Sequence, residues 1–151
     1  MALLRACRMK ELSAKRQRTL ALHHRALQFS VDVNACCPNH FSNVPSRIVW
    51  DQLVRAADSA SNNLIEADDA SSDADFLSKM GTALREAKES RAALMKVRMG
   101  QLDHFEQTAR KELESEETQL SAIFATIILN MRRRLDDEKR DKDRRKRTRR
   151  R

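Results

Sequence analysis

Cys36, Cys37 and His40, with His23 and His24 further upstream, are the side chains that could hold a metal ion, since thiolate and imidazole both suit zinc. Their spacing speaks against it: the set lacks the Cys-x-x-Cys or His-x3-His pairs that preorganise tetrahedral ligation, and adjacent cysteines point in different directions. Glu66 is a candidate acid or base. With no nucleophile or histidine close to it in sequence, it reads better as a helix-terminal residue bonding backbone amides or Asn62 and Asn63. Gly81 and Gly100 are too isolated to form a phosphate-cradling loop. The sequence therefore predicts neither an enzyme nor a cofactor.

Positive charge is the chemistry that remains. The 151 residues carry 30 Lys and Arg against 22 Asp and Glu, a formal net charge of +8. The excess is uneven: Arg132 to Arg151 hold 13 basic and 5 acidic groups, residues 1–25 hold seven against one, and residues 26–131 hold ten against 16. A mildly acidic body thus separates two basic ends. At the first end stand Arg5, Arg8, Lys10, Lys15, Arg16, Arg18 and Arg25. At the second, Arg132, Arg133 and Arg134 lead into Arg144, Arg145, Lys146, Arg147, Arg149, Arg150 and Arg151. Arg85, Lys88 and Arg91, with Lys96 and Arg98 beyond, add an arc interrupted by Glu86 and Glu89, which a solvated helix face explains equally well.

RNA or DNA is the leading partner for such ends, because each phosphate neutralised by a cation releases condensed counterions. An anionic membrane surface or an acidic protein would also satisfy the charge. The alternative reading is a protein-interaction scaffold whose basic tail only solubilises it. Trp50 and five Phe are the aromatics, with no Tyr, too few for a base-stacking platform. Contact with the nucleic-acid backbone is therefore expected, and Trp50 is expected as a core or interface anchor.

The elements that must position these charges are helical. Two Gly, two Pro and an abundance of Ala, Leu, Arg, Lys and Glu favour helix almost throughout. The first segment is expected from about Leu12 or Lys15 to Ala35, burying Leu20, Leu27, Val31 and Asn34/Ala35 beside Ala26 and Phe29, and ending ahead of Pro38. The second is expected after Pro45 with Ser46 as N-cap, burying Val49, Leu53, Ala56/Ala57, Ala60 and Leu64. Its small residues Ala56, Ala57, Ser59, Ala60 and Ser61 admit a close neighbour.

Ser72 or Asp73 should cap a third helix that buries Phe76, Met80, Ala83/Leu84, Ala87 and Leu94 and stops at Gly100. Asp103 and Glu106 resemble a capping box opening the fourth, whose stripe is Leu113, Leu120, Ile123/Phe124, Ile127/Ile128, Met131 and Leu135. The width of that stripe from Ile123 to Leu129 predicts a second buried side, against another subunit. Together these make an all-α, antiparallel up-down-up-down four-helix bundle over residues 15–135, a basic extension over 1–14, and a disordered basic tail over 136–151. In such a bundle the start of the first helix and the end of the fourth share a pole, where their positive fields would add. Three cysteines and no secretory signal predict a cytoplasmic protein, and no stretch approaches the ~20 apolar residues of a membrane span.

From His23 to Leu135 the chain resembles the four-helix-bundle proteins encoded within intervening sequences of bacterial 23S ribosomal RNA genes. The run from Arg25 to Val33 is similar to that family's first helix. The most specific stretch is Asp51 to Ala67, with Gln52, an aliphatic, Arg55, Ala56-Ala57 and Ser59, then Asn63, an aliphatic pair and Glu66 before a small residue. Phe76-Leu77, Ala83-Leu84 and the acids Glu86 and Glu89 follow the third-helix pattern. Ala67 stands where the family prefers Gly, and Gly81 falls earlier than its usual Gly. The resemblance implies a bundle that assembles as a homopentamer around a central channel, without known enzymatic activity. It also implies kinship with the accessory variability proteins of diversity-generating retroelements, which bind nucleic acid and partner a reverse transcriptase.

Overall fold

The computed structural model describes residues 13–100 and 107–149, and their regular structure is helix throughout. Four helices follow one another: α1 (Ala14–Cys36), α2 (Val44–Asp68), α3 (Asp73–Gly100) and α4 (Gln107–Arg149). Arg5, Arg8 and Lys10, the Asp103–Glu106 capping box, and Arg150 and Arg151 lie outside the described residues.

Local chemistry sets the ends. Ser13 Oγ accepts from the Arg16 amide at 3.2 Å and opens α1. Cys37, just before Pro38, is extended, and its amide closes α1 on the Asn34 carbonyl at 3.1 Å. The second helix begins earlier than the sequence suggested. Asn43, not Ser46, is the N-cap, its Oδ1 accepting from the Ser46 amide at 2.9 Å. Pro45 fits inside the first turn because amides there have no intrahelical partner to lose, so the helix need not wait for it. Ser46 is instead fully buried. Ser72 caps α3 as expected, accepting from the Asp75 amide at 3.1 Å.

One core joins all four helices, drawn from Phe29 and Val33 on α1, Trp50, Leu53 and Leu64 on α2, Met80 and Leu94 on α3, and Leu120, Phe124 and Ile128 on α4. Trp50 is fully enclosed. The most extensive seam is α2–α3, where Ala56, Ala57, Ala60 and Ser61 are buried on one helix and Ala83, Ala87 and Ser90 on the other. The slightest is α1–α4.

The face of α1 differs from expectation. Leu20, Leu27 and Val31 are 38%, 42% and 56% exposed, while Ala26, Phe29, Ser30 and Val33 turn inward. Apolar residues occur on both sides of this helix, so its hydrophobic pattern is shallow. Packing is then decided by the large ring of Phe29 and by the Ser30 hydroxyl, which donates to Asp58 on α2.

The C-terminal segment also departs from the sequence reading. Instead of an irregular tail from Asp136, α4 runs on to Arg149 with every residue from 136 to 148 exposed. The reason is electrostatic spacing. Arg134–Glu138 at 3.6 Å, Asp137–Arg140 at 3.7 Å and Asp141–Arg144 at 3.8 Å lie one turn apart, and neither Gly nor Pro interrupts the run. Residues 136–149, called the arm below, span about 21 Å at 1.5 Å per residue.

Candidate nucleic-acid interface

Most of the basic residues on the body of the protein are already engaged. Arg25 donates to both carboxylate oxygens of Glu116, one at 2.7 Å, and to Gln119 Oε1 at 2.6 Å, joining α1 to α4. The Glu116 hydrogen bond raises the Arg25 pKa against the opposing effect of burial. Arg16 pairs with Asp68 across α1 and α2. Arg18 Nε donates to the Ala14 carbonyl at 3.2 Å. On α3, Arg85 donates to Thr82 Oγ1 at 2.9 Å, Arg91 lies 3.8 Å from Glu117 and Arg98 3.9 Å from Glu114. Lys88 and Lys96 are exposed on the same helix.

The start of α1 and the end of the packed part of α4 do meet. Lys15, Thr19 and His23 line a cavity of about 740 Å³ together with Ile127, Met131 and Arg134. The α2–α3 loop closes this pole and brings acids to it. Arg134 Nη2 donates to Asp73 at 2.9 Å, and Asp68, Asp69 and Asp75 stand on or beside the same loop. The positive fields expected to add there are therefore partly cancelled, a cancellation invisible until the helices are paired. Arg85, Lys88 and Arg91 form a separate patch, about 18 Å or more along α3 from Asp73.

Unneutralised charge is carried further out. Arg132 and Arg133 are exposed where α4 leaves the core, and Arg145, Lys146 and Arg147 are exposed on the arm. Arg144 is held near Asp141 at 3.8 Å, and Arg149 ends the helix. Continuity of the helix adds Lys139, Arg140 and Lys142, which sequence reasoning passed over because they alternate with acids.

The other candidates resolve into structure. Cys36 and Cys37 are half-buried thiols outside any disulfide, and burial together with Asp51 pushes the Cys37 thiol pKa up, away from nucleophilic use. His40 is exposed, and among the described residues no group of three or more His, Cys, Asp or Glu could hold a metal. Glu66 is exposed and its carboxylate accepts from Lys79 Nζ at 2.9 Å, which raises the lysine pKa, so the side chain bridges two helices while the backbone carbonyl accepts the Asp69 amide at the helix end. Glu117, unremarked in the sequence, is a fully buried carboxylate. No described helix is long and apolar enough to cross a membrane.

The model of the 23S rRNA-intervening sequence protein family matches residues 18–126. Among solved structures, the chain is similar to a protein with unknown function from the S23 ribosomal protein family of Bacteroides thetaiotaomicron. The two share 21% identity over 71% of this chain and 97% of that one, with a TM-score of 0.57, which speaks for a shared fold. No curated protein matches the sequence.

Proposed function

Because this chain belongs to the 23S rRNA-intervening sequence protein family, we propose that it is a non-catalytic, cytoplasmic RNA-binding accessory protein that grips nucleic-acid phosphates with its basic arm. The observation that carries this reading is the arm itself. It is a solvated helix with an excess of Lys and Arg, projecting beyond a pole where Arg16 and Arg134 are paired with acids. Contact with phosphates serves RNA first and DNA by the same chemistry.

The bundle in this proposal is an antiparallel up-down-up-down one that assembles as a homopentamer. Support for assembly comes from apolar surface that a monomer leaves in water: Leu20, Leu27 and Val31 on α1, and Leu129 on α4, which is 48% exposed. Kinship with retroelement accessory proteins makes a reverse transcriptase the protein to which bound RNA would be bridged. The same exposed stripe favours a second reading, a protein-interaction scaffold with a solubilising arm.

Binding of full-length protein to an RNA hairpin and to duplex DNA, titrated from low to raised salt, separates the two. The proposal expects affinity to fall steeply with salt. It also expects that deleting residues 136–151, which removes ten Lys/Arg and five acids and no large apolar side chain, weakens binding while the melting temperature moves by only a few degrees. Unchanged affinity and salt slope after the deletion would favour the scaffold.

A further inference from the structure

Resting on the reading of the arm as the RNA-binding element, we infer that its two basic faces divide the work. A lysine face, Lys139, Lys142 and Lys146, holds the phosphates of a helical RNA. On an arginine face, the pairs Arg140–Asp137 and Arg144–Asp141 keep the arm helical, with Arg147 a turn beyond.

The division follows from register. Leu135, Lys139, Lys142 and Lys146 recur at i, i+4, i+7 and i+11, so they share one side of α4. It is the side that Phe124 and Ile128 turn to the core and Met131 to the cavity at the pole. Once α4 outruns its neighbours, the positions that were apolar become cationic. Lys139, Lys142 and Lys146 are exposed and carry no ion pair among the described residues. The acids near this face, Glu138 on one flank and Asp136 and Asp143 on the other, bound it without occupying it, and Glu138 is drawn to Arg134.

The arginines lie well round the helix, and two of the three are paired along it. Arg140 is paired with Asp137 and Arg144 with Asp141, one turn away in each case. Such pairs supply helical support to a segment that buries nothing. Lysines without a partner can meet phosphates without first surrendering an intrahelical contact.

The ligand class follows from what the arm lacks. From Asp136 to Arg149 it has no aromatic side chain on which the bases of a single strand could stack, and no large apolar side chain to enter a membrane. It offers a straight row of cations over about 10 Å between Lys139 and Lys146, suited to the phosphates along a helical RNA backbone.

The test compares two charge-matched triple variants of the full chain, K139Q/K142Q/K146Q and R140Q/R144Q/R147Q, by fluorescence anisotropy on an RNA hairpin across a salt series. Circular dichroism on the same samples reads the arm's helicity. Gln keeps helix propensity in both. The lysine variant is expected to lose about tenfold or more in affinity and about 2 to 3 in salt slope at unchanged helicity, the arginine variant under about threefold with some loss of helicity. Equal losses in the two variants, or a larger loss in the arginine variant, overturn the division while leaving RNA binding by the arm intact. A wild-type protein that ignores the hairpin but binds anionic phospholipid vesicles or an acidic polypeptide overturns both this inference and the reading on which it rests.

Discussion

Arg91, midway along α3, lies 3.8 Å from the fully buried carboxylate of Glu117 on α4, too far for a hydrogen bond. The Ser121 hydroxyl donates to Glu117 Oε1 at 2.5 Å, and Oε2 has no hydrogen-bond donor among the described residues. The arginine, 55% exposed, keeps most of its hydration. The carboxylate bears nearly all the desolvation of the pair.

Burial raises the Glu117 pKa, against the downward pull of Ser121, Arg91 and Lys88. The folded state therefore holds this proton more tightly than the unfolded chain. Its contribution favours folding below the ordinary carboxyl range and is lost as pH rises through the raised folded value. Glu117→Gln, which can still accept from Ser121, is expected to melt about 2–5 °C above wild type at pH 7, with the gap closing towards pH 4. Thermal melts at three pH values check this, and a variant less stable at pH 7 would show that the ion pair outweighs the desolvation.

Arg25 should matter more than Arg16. It reaches two oxygens of Glu116 and one of Gln119 across the slightest seam of the fold, whereas Arg16 makes one exposed pair. After allowance for solvent screening, Arg25→Ala is expected to cost about 1 kcal/mol and Arg16→Ala about half that or less in urea unfolding. Arg25→Lys should recover little, since an ammonium cannot reproduce the planar fork. Equal midpoints for the two alanine variants would contradict this.

The α2–α3 seam is expected to reject volume. Ala57 is fully enclosed, so Ala57→Leu should destabilise by about 1–3 kcal/mol, while Ala122→Leu on the exposed side of α4 should be nearly neutral. Denaturant midpoints of the two variants give the contrast directly.

The oligomer in the proposal has two candidate contact surfaces. If the α1 stripe is one, Leu27→Asp with Val31→Asp should bring the mass seen by light scattering down towards the 17.4 kDa of one chain. If the outer side of α4 is another, Leu129→Asp should do the same. A wild-type protein that already scatters as a monomer would remove both.

What the sequence made legible was the number of helices, the approximate ends of the first three and the buried face of α2, where Leu53, Ala56, Ala57, Ala60 and Leu64 leave one choice of side. On α1 the apolar residues permitted two sides. The one that won depends on Phe29 and on a partner, Asp58, that is 28 residues distant from Ser30. Glu117 escaped notice because a glutamate between Glu116 and Thr118 is ordinarily written on the solvent side. The arm's helix was hidden in a charge count that treated Asp137 and Asp141 as reductions in net charge, when their spacing to Arg140 and Arg144 made them staples. The acids that meet Arg16 and Arg134 at the pole could be located only once the α2–α3 loop was placed beside them.

Because α4 passes from core to arm without a break, the cationic rows are geared to the packing of Phe124 and Ile128. No swivel separates them. One residue inserted after Leu135 would turn the lysines by about 100°, whereas seven would return them to within about 20° of where they began while pushing them about 10 Å outward. RNA affinity across such an insertion series should oscillate with helical phase, where a loosely tethered charge cloud would show only a monotonic drift.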